Sequence, residues 1–198
     1  LGRGTPVKVR VLGDLASIAR DLAGAMQQEI LAAHSAGRAA TLIIPVGPVD
    51  QFPLLARAIN DGRLDCRDVM LINMDEYLTD ADEFVSADHP LSFRGYMDRA
   101  FYQLLDPALA PPPANRVFPD PRDGGALQRL IGQRGGVDAC FGGIGINGHI
   151  AFNEPPEPGA SMSVEAFADL PTRALPLARE TRTINSVTVG GEIGLVPH

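Results

Sequence analysis

The chain has 198 residues, of which 45% are hydrophobic and 21% are charged. Such a chain forms one globular domain, 1–198, that buries roughly 70% of the surface of its unfolded form, and disorder is excluded. The formal net charge of −7 disfavours nucleic acid as a partner, because phosphate binding requires clustered Lys and Arg. No apolar stretch reaches about 18 residues, so no membrane partner is expected.

The two cysteines, Cys66 and Cys140, form no CxxC pair. This pattern indicates neither a zinc site nor a redox motif. Residues 1–14 lack the long apolar core of a signal peptide. A reducing, cytoplasmic location is therefore the expectation.

Hydrophobic periodicity predicts strands that alternate with helices. A helix is predicted from Leu15, with Leu15, Ile18, Leu22, Met26 and Ile30 on one face, ending before Gly37. Residues 155–167 are expected to form a loop. The remaining predicted strands are 7–12, 40–46, 68–74, 116–118 and 137–146, with short ones at 172–177 and 186–191, and the remaining helices are 52–60, 89–105 with Pro90 in the first turn, and 125–133.

Alternating strands and helices predict an α/β fold, in which a mainly parallel sheet lies between helices in a three-layer, Rossmann-like arrangement. Ligands of such folds bind at the carboxyl ends of the strands. That rule selects the loops that follow Val46, Met74 and Phe141.

The first loop, PVGPVDQF, has Gly47 between a predicted strand and a predicted helix. Such a turn can bind phosphate through backbone N–H groups. It contains no Lys, Ser or Thr, however, and Pro48 lacks an N–H. A phosphate site and a plain turn are equally good interpretations.

The second loop, NMDEYLTD, places Asp75 and Glu76 directly after an apolar strand. Apolar neighbours raise the pKa of a carboxyl group toward a value that suits a general base. A solvated pair of charges is the alternative.

The third loop, FGGIGINGHIAFNEP, combines Gly145 and Gly148 with His149, and places Asn147 and Glu154 nearby. It matches neither the dinucleotide-binding glycine pattern nor a Walker A loop. A histidine oriented by a carboxylate is a common proton-transfer pair. Two alternatives remain open: a structural histidine, and a metal site with Asp75, for which paired-histidine spacing is missing.

Three blocks of this sequence resemble the glucosamine-6-phosphate deaminase (isomerase) family, related to the 6-phosphogluconolactonases. These blocks are GIGINGHIAFNEP, NMDEYL followed by HPLSFRGYM, and TRTINS. The resemblance covers nearly the whole chain and implies conversion of an amino-sugar phosphate to a ketose phosphate with loss of ammonia. It allows a homo-oligomer, since relatives range from monomers to larger assemblies.

By this resemblance Asp75 is the base that moves a proton between C2 and C1, and His149 handles the ring-opening proton. Glu154 orients His149, and Asn147 completes the relay, where many relatives have Asp. Gly47, Glu76, Gly145 and Gly148 are the expected substrate-binding residues. Proton transfers of this kind require no metal or other cofactor.

Other positions depart from the family pattern. Val46-Gly47-Pro48-Val49 stands where relatives have a hydroxyl-rich phosphate loop, and Val187 stands where they often have Arg. The family pattern continues past His198 and includes a phosphate-binding Lys there, so a fold truncated at its C-terminus is expected. The loop from Pro155 to Ala178 is also longer than usual. These departures lead to the hypothesis that the catalytic half is kept while the accepted partner is a different sugar or sugar phosphate, with a sugar that lacks the 6-phosphate as one candidate.

Two alternative functions fit part of the pattern. A sugar lactone hydrolase would use His149 to activate water and would not need Asp75. A catalytically silent sugar-binding regulator would tolerate the altered phosphate loops, but it would not require Asp75, His149 and Glu154 together.

Overall fold

The centre of the fold is a parallel sheet of the described strands β1 (Thr41–Ile44), β2 (Met70–Asn73), β3 (Arg116–Val117) and β4 (Ala139–Cys140). Their order across the sheet is β3-β2-β1-β4. The computed structural model describes residues 4–47, 50–156 and 159–197. Thr41 pairs with Met70 between β1 and β2, and Leu42 pairs with Ala139 between β1 and β4. The predicted α/β fold with a mainly parallel sheet is thereby confirmed.

Helices and short 3-10 turns connect these strands. None of the described helices combines the length and apolar character needed to cross a membrane. The 3-10 turns are Tyr102–Leu104, Pro113–Asn115, Ser186–Val189 and Ile193–Leu195. The helices are α1 (Leu15–Ser35), α2 (Gln51–Asp61), α3 (Phe93–Ala100), α4 (Ala126–Gln133), α5 (Val164–Ala168) and α6 (Arg179–Asn185).

Helix α1 begins and ends where its sequence predicts, but its first turn faces solvent. The Asp14 carboxylate accepts a hydrogen bond from the Ser17 backbone N–H at 2.6 Å, and Gly37 has a φ of +70° just beyond the end. Leu15 and Ile18 are 76% and 40% exposed, so the predicted apolar face is wrong there. The buried residues of α1 are Ala19, Ala23, Met26, Ile30 and Ala33.

The main core lies where α1, α2 and α3 pack around β1 and β2. Phe52 of α2 contacts Phe101, with 5.5 Å between the ring centroids. Leu42 is fully buried in the same cluster. This packing fixes the strands, whose carboxyl ends carry the loops selected from the sequence.

The sequence predicts strands at residues 7–12 and 186–191, and both predictions are wrong. Val7, Val9 and Val11 are exposed, because no described strand pairs with that segment. Residues 172–177 likewise have no regular structure. Residues 186–189 form a 3-10 turn that continues from α6.

Two helices also differ from the prediction. The helix expected over 89–105 begins at Phe93, because the Ser92 hydroxyl accepts a hydrogen bond from the Gly95 N–H at 3.1 Å and forms the cap. The Ser163 hydroxyl caps α5 in the same way, inside the segment predicted as a loop. Residues 157–158 of that predicted loop lie outside the described ranges.

Candidate active site

The carboxyl ends of the strands surround a cavity of about 440 Å³. It is lined by Gly47 from the first loop, Asp75 from the second, and Gly145 and His149 from the third. Asn185, at the end of α6, lines it as well. One cavity thus receives residues from each of the loops selected by the strand-end rule. Pro48 and Val49 of the first loop lie outside the described residues.

Asp75 lies just beyond the end of β2. The Met74 N–H donates to the Ile44 carbonyl at 3.1 Å, which continues the pairing with β1 up to this point. Burial, and then the adjacent charge of Glu76, raise the pKa of Asp75 to about 7. A carboxyl group with this pKa can accept and return a proton near neutral pH.

The Glu76 carboxylate contacts the N-terminus of α3. It accepts hydrogen bonds from the backbone N–H groups of Phe93 at 2.9 Å and Arg94 at 2.7 Å. The Ser92 hydroxyl donates to it at 3.2 Å. A carboxylate at a helix N-terminus is stabilised by these donors and by the helix dipole. This placement favours an anchoring role for Glu76 over the substrate-binding role predicted from the sequence.

His149, Asn147 and Glu154 form a connected hydrogen-bonded group. Asn147 Oδ1 lies 2.7 Å from His149 Nδ1, and Asn147 Nδ2 donates to Glu154 Oε2 at 2.5 Å. An ionised carboxylate only accepts, so the amide must present its NH₂ to Glu154 and its oxygen to His149. This network assigns the ring proton to Nδ1 and leaves Nε2 as the proton acceptor.

Glu154 is kept ionised by the donors around it. Burial by itself raises the pKa of Glu154. Hydrogen bonds from Asn147, from Thr181 and from the Ala178 backbone, with the charge of His149, outweigh burial and lower the pKa below its ordinary value. Glu154 Oε2 also lies 3.3 Å from His149 Nδ1, close enough to stabilise an imidazolium.

A metal site was the alternative for Asp75, His149 and Glu154. Within residues 4–47, 50–156 and 159–197, no three His, Cys, Asp or Glu side chains are grouped as a metal ion requires. The oxygens of Glu154 instead accept hydrogen bonds from Asn147 and Ala178. These hydrogen-bond donors favour a role for Glu154 in orienting neighbouring side chains over a role as a metal ligand.

Gly145 provides the space in which the His149 ring lies. A Cβ atom at position 145 would lie 2.1 Å from His149 Nε2, a distance that no side chain tolerates. Gly148 has a φ of +91°, which favours glycine, in a turn closed by a hydrogen bond from the Gly148 N–H to the Gly145 carbonyl at 3.0 Å. The predicted contacts of Gly47, Gly145 and Gly148 with a substrate stay predictions.

Thr181 and the aromatic wall of the site were not predicted from the sequence. Thr181 Oγ1 lies 3.3 Å from His149 Nδ1. The Phe152 ring lies between Tyr77 and His149, with centroid distances of 5.0 and 6.2 Å. Each of these residues belongs to a sequence block that resembles the family, and that membership was the signal that could have identified it. Thr181 begins TRTINS, Tyr77 belongs to NMDEYL, and Phe152 belongs to GIGINGHIAFNEP.

Curated relatives of this chain are glucosamine-6-phosphate deaminases. The protein of Aliivibrio fischeri is 33% identical over 169 residues, which cover 82% of this chain and 58% of the relative. That of Porphyromonas gingivalis is 33% identical over 172 residues, covering 84% and 59%. That of Cellvibrio japonicus is 36% identical over 155 residues, covering 75% and 55%. The chain therefore spans less than two thirds of the length of these relatives.

A solved structure agrees with these matches. It is a monomeric glucosamine-6-phosphate deaminase, described as a missing link of the NagB superfamily, with a TM-score of 0.76 and 25% identity. The match covers 96% of this chain and 73% of the solved one. No protein-family model matches the chain. Over the part that these matches cover, the chain belongs by sequence and by fold to the glucosamine-6-phosphate deaminase family.

Proposed function

We propose that this chain carries the proton-transfer centre of an aldose–ketose isomerase that acts on an amino sugar and releases ammonia. The observation that carries the proposal is that Asp75 and His149 line one cavity, with the pKa of Asp75 raised to about 7. The assignment of the ring proton to Nδ1 adds a second proton acceptor, His149 Nε2. Two such groups meet the needs of ring opening and of proton transfer between carbons.

The proposed reaction begins with ring opening. His149 Nε2 accepts the proton of the C1 hydroxyl, the bond between C1 and the ring oxygen breaks, and the ring oxygen receives the proton. Glu154, 3.3 Å from Nδ1, stabilises the imidazolium formed between these two steps. The product is the open-chain amino aldehyde.

Asp75 then removes the proton from C2 and returns it to C1. The amine loses one proton and the C1 oxygen gains one, so that a 2-imino ketose forms without net oxidation or reduction. Water hydrolyses the imine to the ketose and ammonia. The raised pKa of Asp75 supports this role, because a base near neutrality can both remove a proton and give it back.

The proposed sugar lacks a 6-phosphate. The relatives are named for a phosphorylated sugar, yet none of the described residues lining this cavity is Lys or Arg. Phosphate sites generally present cationic side chains or several backbone N–H groups. Kinetics with glucosamine and with glucosamine 6-phosphate test this part, and a strong preference for the phosphorylated sugar overturns it.

Release of ammonia together with a ketose tests the reaction itself. The wild-type chain should form both products, and Asp75→Asn should abolish both, because an amide cannot accept the C2 proton. Hydrolysis of a sugar lactone that survives Asp75→Asn would instead identify a lactone hydrolase. Binding of amino sugars without turnover would identify a regulator. Either result overturns the proposal.

A further inference from the structure

Thr181 contacts two members of the proton-transfer group from a different element. It lies on α6 and is fully buried. Its Oγ1 lies 3.3 Å from His149 Nδ1, and its hydroxyl is one of the groups whose interaction lowers the pKa of the Glu154 carboxyl. No step of the reaction proposed above uses this hydroxyl.

We propose that Thr181 is a positioning residue that fixes which ring nitrogen of His149 carries the proton, an inference that rests on the proposed function. The Thr181 hydroxyl has a single hydrogen, and an ionised Glu154 can only accept it. A lone pair of Oγ1 therefore faces Nδ1. The hydroxyl becomes a second acceptor for the Nδ1–H, beside Asn147.

One carboxylate thus orients two neutral groups toward the same ring nitrogen. Asn147 Nδ2 donates to Glu154 at 2.5 Å. In the proposed arrangement the hydroxyl hydrogen of Thr181 is directed at the same carboxylate, so that the oxygens of both residues face His149. Each of these contacts favours the ring with its proton on Nδ1 and with Nε2 unprotonated. The charged and titratable groups that face Glu154 are His149 and the phenol of Tyr77.

The substitution that tests this inference is Thr181→Val, which keeps the shape and removes the hydroxyl. We expect kcat to fall about tenfold, the worth of one hydrogen bond in the transition state, while KM changes less than twofold. Thr181→Ser should restore most of kcat. Thr183→Val is the matched control on the same helix, because the exposed Thr183 hydroxyl donates only to the Arg179 carbonyl, at 2.7 Å.

A second readout does not require turnover. Ring-nitrogen chemical shifts of ¹⁵N-labelled histidine, with His149 assigned through His149→Gln, should show the proton on Nδ1 in the wild-type protein. In Thr181→Val we expect part of the population to move to the form with the proton on Nε2. If Thr181→Val fails to fold, the same measurements are made on Thr181→Ala. The wild-type spectrum alone still shows which ring nitrogen of His149 carries the proton.

The possible results separate this inference from the function on which it rests. A wild-type ring with its proton on Nε2 overturns the inference, whether or not the protein is active. Unchanged kcat and unchanged ring shifts in Thr181→Val overturn it as well. An inactive wild-type protein whose spectra respond to Thr181→Val as described leaves the positioning role standing and defeats only the proposed reaction.

Discussion

The side-chain oxygen of Asn147 lies 2.7 Å from Nδ1 of His149. An amide has a donor end and an acceptor end, so its orientation determines the orientation of every group bonded to it. Here the donor end is held by Glu154 at 2.5 Å. The network therefore has one direction: the carboxylate orients the neutral amide of Asn147, and the amide orients the imidazole.

Replacing Asn147 by Leu tests this direction. Leu fills a similar volume but neither accepts from Nδ1 nor donates to Glu154, so the ring loses its closest acceptor. We expect kcat to fall about 10- to 100-fold, in the range of a misoriented general base. Steady-state kinetics measures the change, and Asn153→Leu serves as a comparison in the same loop. A loss smaller than twofold for Asn147→Leu would show that the amide does not orient the ring.

Gly145→Ala should displace the His149 ring. The added methyl group would lie 2.1 Å from Nε2, so the imidazole must leave its place in the cavity. We expect activity to fall by at least about 100-fold, because small misplacements of a catalytic group have effects of that size. Gly132→Ala in α4 is the control, since a Cβ there meets nothing within 4 Å. Equal activities of the two variants would contradict the close packing of the His149 ring against Gly145.

The sequence predicted which loops line the cavity, because their position follows a general rule for parallel sheets. Asp75 comes two residues after β2, and His149 lies in the loop that follows β4, so both lie at the carboxyl edge of the parallel sheet and line one cavity. Burial of Asp75 follows from the same position. Glu154 was identified with His149 because both belong to one short motif.

Other features depend on contacts between distant segments, which periodicity does not encode. Thr181 reaches His149 only because α6 packs beside the third loop, and nothing in its spacing indicates that contact. Glu76 has the same sequence context as Asp75, but its side chain turns toward the N-terminus of α3. Residues 7–12 have the alternation of a strand, yet no described strand pairs with them.

Glu76→Ala should destabilise the fold more than an ordinary surface substitution. The buried carboxylate accepts hydrogen bonds from the Phe93 and Arg94 N–H groups and from Ser92. Its removal leaves these donors without their acceptor and Arg94 without its ion pair, at a cost of about 3 kcal/mol in the free energy of unfolding. Urea denaturation measures this change. Asp80→Ala, at an exposed position of the same loop, is the control, and equal midpoints would refute the anchoring role.

The raised pKa of Asp75 predicts a pH dependence of stability. The folded protein holds this proton up to about pH 7, whereas the unfolded chain releases it near the ordinary pKa of 3.8. Between these values the folded state binds more protons than the unfolded state, so the free energy of unfolding falls as pH rises from about 4 to 7.

Asp75→Asn removes this contribution, because the amide does not ionise. Relative to the wild type, the variant should therefore gain stability with rising pH, by up to about 4 kcal/mol at pH 8. Urea denaturation of both proteins at about pH 4, 6 and 8 measures the difference between their free energies of unfolding. Groups that titrate alike in both proteins do not contribute to this difference. A difference that stays constant across this range would mean that Asp75 titrates alike in the folded and unfolded states.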